Sequence, residues 1–135
     1  MYKKILVPID GSAHSTRALQ EAVKIAKTTS GTITLLTVQS SRPKILSPPK
    51  LPSNDTPKSI VLAEAQKLVQ EEGVFAETVL LEGNVVDQIV NTAREGNFDL
   101  VVIGARGLNR FEEALLGSVS QGVVAKAPCP VIVTR

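Results

Sequence analysis

The chain contains few of the side chains on which most catalytic and metal sites are built. Among its 135 residues are one His, one Cys, one Tyr, three Phe and no Trp. A single His and a single Cys exclude a Cys/His zinc cluster, a CxxC redox pair and an internal disulfide, and a catalytic Cys-His pair would have to be Cys129 with His14. With so few aromatic residues, stacking of nucleic-acid bases on aromatic platforms is also disfavoured.

An excess of charge of one sign is lacking too. Fifteen Lys and Arg residues against thirteen Asp and Glu give a formal charge of +2, which is too small to indicate a nucleic-acid partner or an anionic membrane. The apolar stretch after Lys4 is too short for a signal peptide, and no run approaches the roughly 20 apolar residues of a membrane span. We therefore expect a cytoplasmic protein that binds neither nucleic acid nor membranes.

What is present is a regular alternation of strand and helix patterns. Short apolar or β-branched runs predict strands, and apolar residues at helical spacing predict helices. The predicted strands cover residues 4–9, 32–38, 75–81, 98–104 and 130–134, and the predicted helices cover 15–27, 58–72, 84–96 and 118–126. Strict alternation implies right-handed βαβ crossovers, so the predicted fold class is α/β, a doubly wound five-stranded parallel sheet with helices on both faces. The length suits a single domain over residues 1–135.

One segment, residues 39–57, breaks this alternation. It holds five of the eight prolines and shows no hydrophobic period. A loop of this length inside a compact domain is a lid, a binding loop or a mobile insert. We favour a proline-rich flexible insert, and a lid or docking role stays open because the segment follows the second strand at the ligand-binding edge of the sheet.

A glycine-bearing segment after the fourth strand is the strongest candidate for a binding site. In an open parallel sheet, ligands bind outside the carboxyl ends of the strands, where the winding direction reverses. Gly104, Gly107 and Gly117 permit close backbone approach and positive φ, so that successive N–H groups can surround an anion. The helix predicted to begin at Ser118 adds its dipole and its free N–H groups to the same point. Arginines in this segment add positive charge, which suits the phosphates of a nucleotide.

The same residues have a purely structural interpretation. Ser118 with Gln121 matches a capping box, and glycines after a strand often only make turns. On spacing alone, both interpretations stay open. Two other residues are assigned structural environments: His14 is expected at the solvated surface in the first turn of a helix, and Cys129 is expected to pack as a small hydrophobe.

The spacing Gly104-x2-Gly107-x9-Gly117-Ser118 matches the G-x2-G-x9-G-[ST] signature of the ATP-binding branch of the universal stress protein family, and the chain resembles that family over nearly all of residues 2–134. Residues 5–12 resemble the family's first strand and turn, residues 99–104 its fourth strand and residues 127–133 its terminal strand. The resemblance implies strand order 3-2-1-4-5 and the fold called adenine nucleotide alpha hydrolase-like.

The resemblance also implies a site for an adenine nucleotide across strands one, two and four. Pro8 and Asp10 would border the adenosine, and the Asp10 carboxylate would accept a ribose hydroxyl or hold a metal, Mg²⁺, through water. Backbone groups of Val38 would meet the edge of the adenine. The residues implied at the phosphates are Gly104, Ala105, Arg106, Gly107, Leu108, Asn109, Arg110, Gly117, Ser118, Val119 and Ser120.

The expected function is that of an ATP-binding regulatory or stress-response protein rather than a dedicated enzyme. Its site is built mainly from backbone amides and has no obvious base to activate water. Neither a P-loop nor a dinucleotide G-x-G-x-x-G occurs. Two alternatives stay open: a slow ATPase or nucleotidyl transferase using Asp10 and a metal, and an interaction module whose nucleotide site is empty. ATP, ADP and AMP are not distinguished.

The terminal strand is the expected contact between two copies of the chain. Val131, Ile132 and Val133 are apolar, and the resemblance places this strand at an edge of the sheet, where unpaired N–H and C=O groups invite pairing. Family members commonly join two such edges around a two-fold axis. We therefore expect a homodimer.

Overall fold

A computed structural model of the chain describes residues 2–40, 57–106 and 116–135. Most of the proline-rich insert lies outside the described residues, as do four residues of the expected phosphate loop, Gly107, Leu108, Asn109 and Arg110. The elements, in chain order, are β1 (Lys4–Pro8), α1 (Ala13–Thr29), β2 (Thr32–Gln39), α2 (Lys58–Glu71), β3 (Ala76–Glu82), α3 (Val85–Glu95), β4 (Leu100–Gly104), α4 (Ser118–Lys126) and β5 (Val131–Thr134).

The strands form one five-stranded sheet in the order β3-β2-β1-β4-β5, and every neighbouring pair is parallel. The predicted fold class and strand order are therefore confirmed. Two hydrophobic clusters cover the two faces of the sheet, one formed with α1 and α2 and the other with α3 and α4. Successive residues of β1 alternate between them: Ile5 and Val7 belong to the first cluster and Leu6 to the second. Burial on both faces explains why this strand is an unbroken apolar run.

The ends of α1 differ in detail from the sequence expectation. The helix begins two residues earlier than predicted, because Ser12 acts as its N-cap and accepts the Ser15 N–H at 3.2 Å. At the other end, the helix runs to Thr29, two residues further than predicted, and Ser30 adopts the left-handed conformation, with φ of 57°. Gly31 is needed for space, since a Cβ there would lie 2.9 Å from the carbonyl oxygen of Lys3.

The crevice of the sheet opens between β1 and β4, where the winding direction reverses. Pairing between these strands joins Ile5 with Leu100 and Leu6 with Val101, whereas the pairing of β1 with β2 runs on to Pro8. The alternation of strand hydrogen bonds places the nitrogen of Pro8 on the β4 side, and proline has no N–H with which to extend that ladder. The pairing of β1 with β4 therefore ends at Leu6, before the pairing of β1 with β2, which ends at Pro8. This difference leaves a gap between β1 and β4 at the carboxyl edge of the sheet.

The two edges of the sheet differ. On β3, the outward-facing carbonyl of Ala76 accepts a hydrogen bond from the Gln66 side chain at 2.9 Å, and Glu77 and Glu82 are exposed. On β5, all four residues are half-buried, and three of them are the apolar residues expected at the dimer contact. A charged, partly covered edge resists pairing better than an apolar one.

Candidate functional site

A cavity of about 370 Å³ lies at the carboxyl edge of the sheet, over the gap between β1 and β4. This volume falls within the usual range for small-molecule sites. Its apolar lining comes mainly from β1, β2, β4 and α3, and its polar lining comes from the β1–α1 turn, the residues that follow β2 and β4, and the starts of α2 and α4. The lining residues are Pro8, Ile9, Asp10, Ser15, Leu36, Val38, Ser40, Lys58, Val85, Ile89, Ile103, Gly104, Arg106, Gly117, Ser118, Val119 and Ser120.

Nine of the residues named from the sequence therefore share one cavity: Pro8, Asp10, Val38, Gly104, Arg106, Gly117, Ser118, Val119 and Ser120. Ala105 is buried behind the wall instead, where its carbonyl oxygen accepts the Gly117 N–H at 2.7 Å. Ala105 thus ties the start of α4 to the end of β4. The remaining four named residues, 107–110, lie outside the described part of the chain.

The β1–α1 turn is held together by its own side chains. The Asp10 carboxylate accepts the Ser12 N–H through Oδ1 at 2.9 Å, and the Ser12 hydroxyl accepts the Ser15 N–H. The Ser15 hydroxyl donates to the Ser12 carbonyl oxygen at 2.9 Å. These contacts fix the orientation of the Asp10 carboxyl at the cavity wall and commit one of its oxygens to the turn.

The start of α4 is built differently. Its N-cap is Gly117, which has extended dihedrals (φ −66°, ψ 163°) and no side chain with which to accept the first N–H groups. The Ser120 hydroxyl holds this turn in place by donating to the Ala105 carbonyl oxygen at 2.7 Å, and it lies 3.0 Å from the carbonyl oxygen of Gly117. The backbone at the start of α4 is therefore firmly positioned at the cavity, and no side chain in the described part of the chain caps it.

The capping-box interpretation of Ser118 with Gln121 is wrong. The N-cap position belongs to Gly117, so Ser118 is the first residue of the helix, and its side chain is exposed. The Gln121 side chain instead donates to the Leu116 carbonyl oxygen at 2.9 Å.

The two site glycines that the structure describes do not use the positive φ that glycine permits. Positive-φ glycines occur at Gly11, Gly73 and Gly83, and Gly104 and Gly117 have ordinary dihedrals. A Cβ on Gly104 would lie 2.7 Å from the carbonyl carbon of His14. Gly104 is thus required for the close packing of α1 on β4, whatever else it contacts.

His14 is buried, with 8% of its surface exposed, and not solvated as expected. His14 lies in the first turn of α1, where its backbone packs closely against Gly104. The His14 carbonyl oxygen accepts a hydrogen bond from the Thr134 hydroxyl at 3.3 Å. Cys129 is half-buried and packs on the hydrophobic cluster beneath α3 and α4. Burial raises the pKa of its thiol, and the nearby Asp99 carboxylate raises it further, so the thiol stays protonated at neutral pH.

The sequence reasoning missed several lining residues, of which Lys58 is the most significant. Its ammonium group donates to the Val38 carbonyl oxygen at 3.0 Å. Lys58 follows the proline-rich insert and belongs to no motif, so its only sequence signal is its place at the start of a helix that follows a strand. Ser15 and the apolar side chains of α3 were missed for the same reason, since helix phase alone decides which of them face the cavity.

Charge within the cavity favours an anion. Among the described lining residues, Lys58 and Arg106 are cationic and Asp10 is anionic. The described residues hold no group of three or more His, Cys, Asp or Glu side chains placed to bind a metal by themselves. None of the helices in the described part of the chain has the length and apolar character needed to cross a bilayer.

Comparison with known proteins gives a consistent result. The model of the universal stress protein family matches residues 1–135. The chain is 34% identical to universal stress protein YxiE of Bacillus subtilis, with all of both chains covered. Among solved structures it resembles universal stress protein UspA from Lactobacillus plantarum, with a TM-score of 0.82, 28% identity and coverage of 99% of this chain and 98% of that one.

Two further solved structures contain ligands. A universal stress protein in complex with cAMP has a TM-score of 0.78 and 25% identity, with coverage of 99% of this chain and 97% of that one. A universal stress protein from Archaeoglobus fulgidus in complex with dAMP has a TM-score of 0.72 and 26% identity, with coverage of 99% and 98%. These neighbours share the adenine nucleotide alpha hydrolase-like fold. The chain belongs to the universal stress protein family.

Proposed function

We propose that the protein binds an adenine nucleotide in this cavity and acts as a nucleotide-dependent regulatory protein of the stress response. The observation that carries the proposal is the start of α4, which faces the cavity from a glycine N-cap. Uncapped N–H groups at a helix start are a ready anion site. Solved relatives that bind cAMP and dAMP support the adenine nucleotide as the ligand class.

The phosphates would lie at the β4–α4 side of the cavity. Ser118, Val119 and Ser120 would offer backbone N–H groups, and Arg106 would supply positive charge. Gly107, Leu108, Asn109 and Arg110, which lie outside the described residues, belong to this proposal on the strength of the family resemblance alone.

The adenosine would lie at the β1–β2 side. Pro8 and the apolar side chains of the cavity would contact the base and the sugar, and Val38 would present its backbone to the edge of the base. Asp10 Oδ1 is taken by the Ser12 N–H, so Oδ2 is the oxygen that would accept a ribose hydroxyl.

ATP with Mg²⁺ is the proposed physiological form, with ADP and AMP as further candidates. The donor set fits Mg²⁺, which commonly binds one or two carboxylates together with substrate phosphates and water. Asp10 is the only carboxylate among the described lining residues, and it would contact the ion through water. A cytoplasmic location remains a prediction from the sequence.

Isothermal calorimetry with ATP, ADP and AMP, each with and without Mg²⁺, tests the proposal. We expect saturable binding of at least one of them and a matching rise in melting temperature, because a ligand that binds only the folded state stabilises it. Mass spectrometry of nucleotide released from freshly purified protein would identify the form bound in the cell. Absence of both heat and thermal stabilisation with all three would contradict the proposal and favour an interaction module with an empty site.

We also propose a homodimer joined through β5. The strand-bond alternation turns the N–H groups of Val131 and Val133 away from β4, so these groups are available to a second copy. Val133→Pro removes one outward N–H while sparing the ladder with β4. We expect it to convert a dimer into a monomer by light scattering, whereas Thr78→Pro on the outward side of β3 should leave the dimer intact. A wild-type mass equal to the 14.4 kDa of one chain at micromolar concentration would refute this part.

A further inference from the structure

The contact between Lys58 and Val38 lies where the proposed nucleotide would place its base. Lys58 is the first residue of α2, is half-buried and lines the cavity. Its ammonium nitrogen is 3.0 Å from the carbonyl oxygen of Val38. This contact puts a cationic donor beside a backbone acceptor at one point of the cavity wall.

The register of the sheet explains why that carbonyl faces the cavity. The Leu36 carbonyl oxygen accepts the Ile9 N–H at 2.8 Å, so even-numbered residues of β2 direct their backbone groups toward β1. Val38 follows two residues later on the same side, beyond the last paired residue of β1, Pro8. Its backbone groups therefore project past the neighbouring strand into the open crevice.

Lys58 is poorly placed to bind the phosphates. Val38 is the penultimate residue of β2, Arg106 follows β4, and β1 lies between these strands. Neighbouring strands are about 4.8 Å apart, so the Lys58 contact is roughly 10 Å from the proposed phosphate side. The ammonium group is thus at the end of the cavity assigned to the base.

The Lys58 ammonium group beside the Val38 carbonyl oxygen changes which purine bases can hydrogen-bond at this point of the cavity. The amino group of adenine can donate to a carbonyl oxygen, which has two lone pairs and can accept from Lys58 at the same time. A 6-oxopurine such as hypoxanthine presents a carbonyl oxygen instead, which a bare backbone carbonyl would repel. The Lys58 ammonium supplies the donor that this oxygen needs, and its neighbouring ring N–H can donate to the Val38 carbonyl oxygen.

We propose that Lys58 is a specificity-determining residue that allows the site to accept 6-oxopurine nucleotides as well as adenine nucleotides. This inference rests on the proposed nucleotide-binding function. The inference goes beyond the proposed function because it assigns the range of accepted bases to one side chain, Lys58, that lies outside the glycine signature.

The test compares the dissociation constants of AMP and IMP by calorimetry in the wild type and in Lys58→Met. The two nucleotides share the ribose and the phosphate, so any general effect of removing the charge cancels in their ratio. We expect IMP to bind roughly tenfold or more weakly in Lys58→Met while AMP changes little, since a hydrogen bond to a charged group is lost for one ligand only. Lys58→Gln, which retains a neutral donor, should restore part of the IMP affinity.

Lys67→Met is the matched control, because Lys67 is an exposed lysine on the same helix. It should leave both constants unchanged. Equal weakening of AMP and IMP in Lys58→Met would overturn the inference and make Lys58 a general anion-binding residue. An unchanged ratio with both nucleotides bound would overturn the inference alone, and so would a wild type that binds AMP but not IMP. If the wild type binds neither, the same comparison is made with ATP and ITP, and failure to bind ATP and ADP as well would overturn the proposed function together with the inference.

Discussion

Two helices, α1 and α4, begin at the same edge of the sheet and face the same cavity, but their first turns are built in opposite ways. At α1, Ser12 caps the helix with its hydroxyl, and Asp10 in turn accepts the Ser12 N–H. At α4, the N-cap is Gly117, which has no side chain, and the Ser120 hydroxyl points inward to the carbonyl oxygen of Ala105. At α1 a side chain of the turn accepts one of the first N–H groups, whereas at α4 the turn is held in place and no side chain among the described residues accepts them.

This difference shows how one topological position can serve either the fold or a ligand. Both helices follow strands that end at the crevice, so topology alone would permit anion binding at either. The N-cap residue decides, because a capping side chain takes the N–H groups that a phosphate would otherwise bind. Fixed donors that need no rearrangement bind charge more strongly than mobile ones.

The largest expected effect comes from making α4 resemble α1. Gly117→Asp would place a carboxylate at the N-cap, where it caps the N–H groups and repels a phosphate. We expect nucleotide affinity to fall by about 100-fold or more by calorimetry, while the stability of the fold is unchanged or rises, since Asp is a favoured N-cap.

Gly117→Ala is the control for this substitution. Its Cβ would lie 3.3 Å from the Ala105 carbonyl oxygen, which is tight, but it brings neither cap nor charge. We expect only a several-fold loss of affinity, of the order of 1 kcal/mol. Equal losses in the two variants would show that the carboxylate is not what matters at this position.

The next effect separates a glycine that serves the fold from one that serves the ligand. Gly104→Ala would bring a Cβ within 2.9 Å of three backbone and side-chain atoms of His14. Because backbone atoms cannot move aside cheaply, we expect unfolding free energy to fall by about 2 kcal/mol in urea denaturation. A wild-type midpoint would show that α1 can shift away from β4 without cost.

A smaller effect is expected when α1 is made to resemble α4. Ser12→Ala removes the cap and should lower stability by about 1 kcal/mol, which corresponds to roughly 4 °C in melting temperature for a chain of this size. Nucleotide affinity should change only a few-fold, because the phosphate is assigned to the other helix. A loss of affinity comparable to that of Gly117→Asp would place the anion at α1 instead.

The smallest effect distinguishes whether the backbone N–H groups or the Ser118 hydroxyl at the start of α4 contact the phosphate. Ser118→Ala removes an exposed hydroxyl but keeps the N–H group. If the backbone supplies most of the binding, affinity measured by calorimetry should fall by about threefold or less, which is under 1 kcal/mol. A drop of two orders of magnitude would assign the phosphate contact to the side chain.

Most of the fold was predictable because hydrophobic periodicity and the residues that cap helices and form turns are local properties of the sequence. The apolar runs of β1 and β4, and the Asn84 N-cap of α3 that accepts the Asp87 N–H at 3.0 Å, follow directly from residue order. The glycine spacing likewise predicted that Gly104 and Gly117 would line one cavity. The strands and helices need only the sequence and the handedness of βαβ units, whereas the assignment of the glycines to a nucleotide site also needed the family resemblance.

What could not be predicted depends on which atoms meet across the fold. His14 is buried because Gly104, 90 residues away in the sequence, gives α1 room to approach β4. Lys58 reaches Val38 because β1 ends before β2 does. Neither contact has a local pattern, so helix phase and strand length had to be known first.

The most direct test of the open helix start is a double cycle that compares adenosine with AMP in the wild type and in Gly117→Asp by calorimetry. If the phosphate lies at the start of α4, AMP should bind the wild type roughly 100-fold more tightly than adenosine, through charge-assisted bonds to the helix and Arg106. In Gly117→Asp that advantage should disappear while adenosine affinity is retained. An AMP advantage of the same size in both proteins would contradict the account, because it would place the phosphate somewhere other than the start of α4.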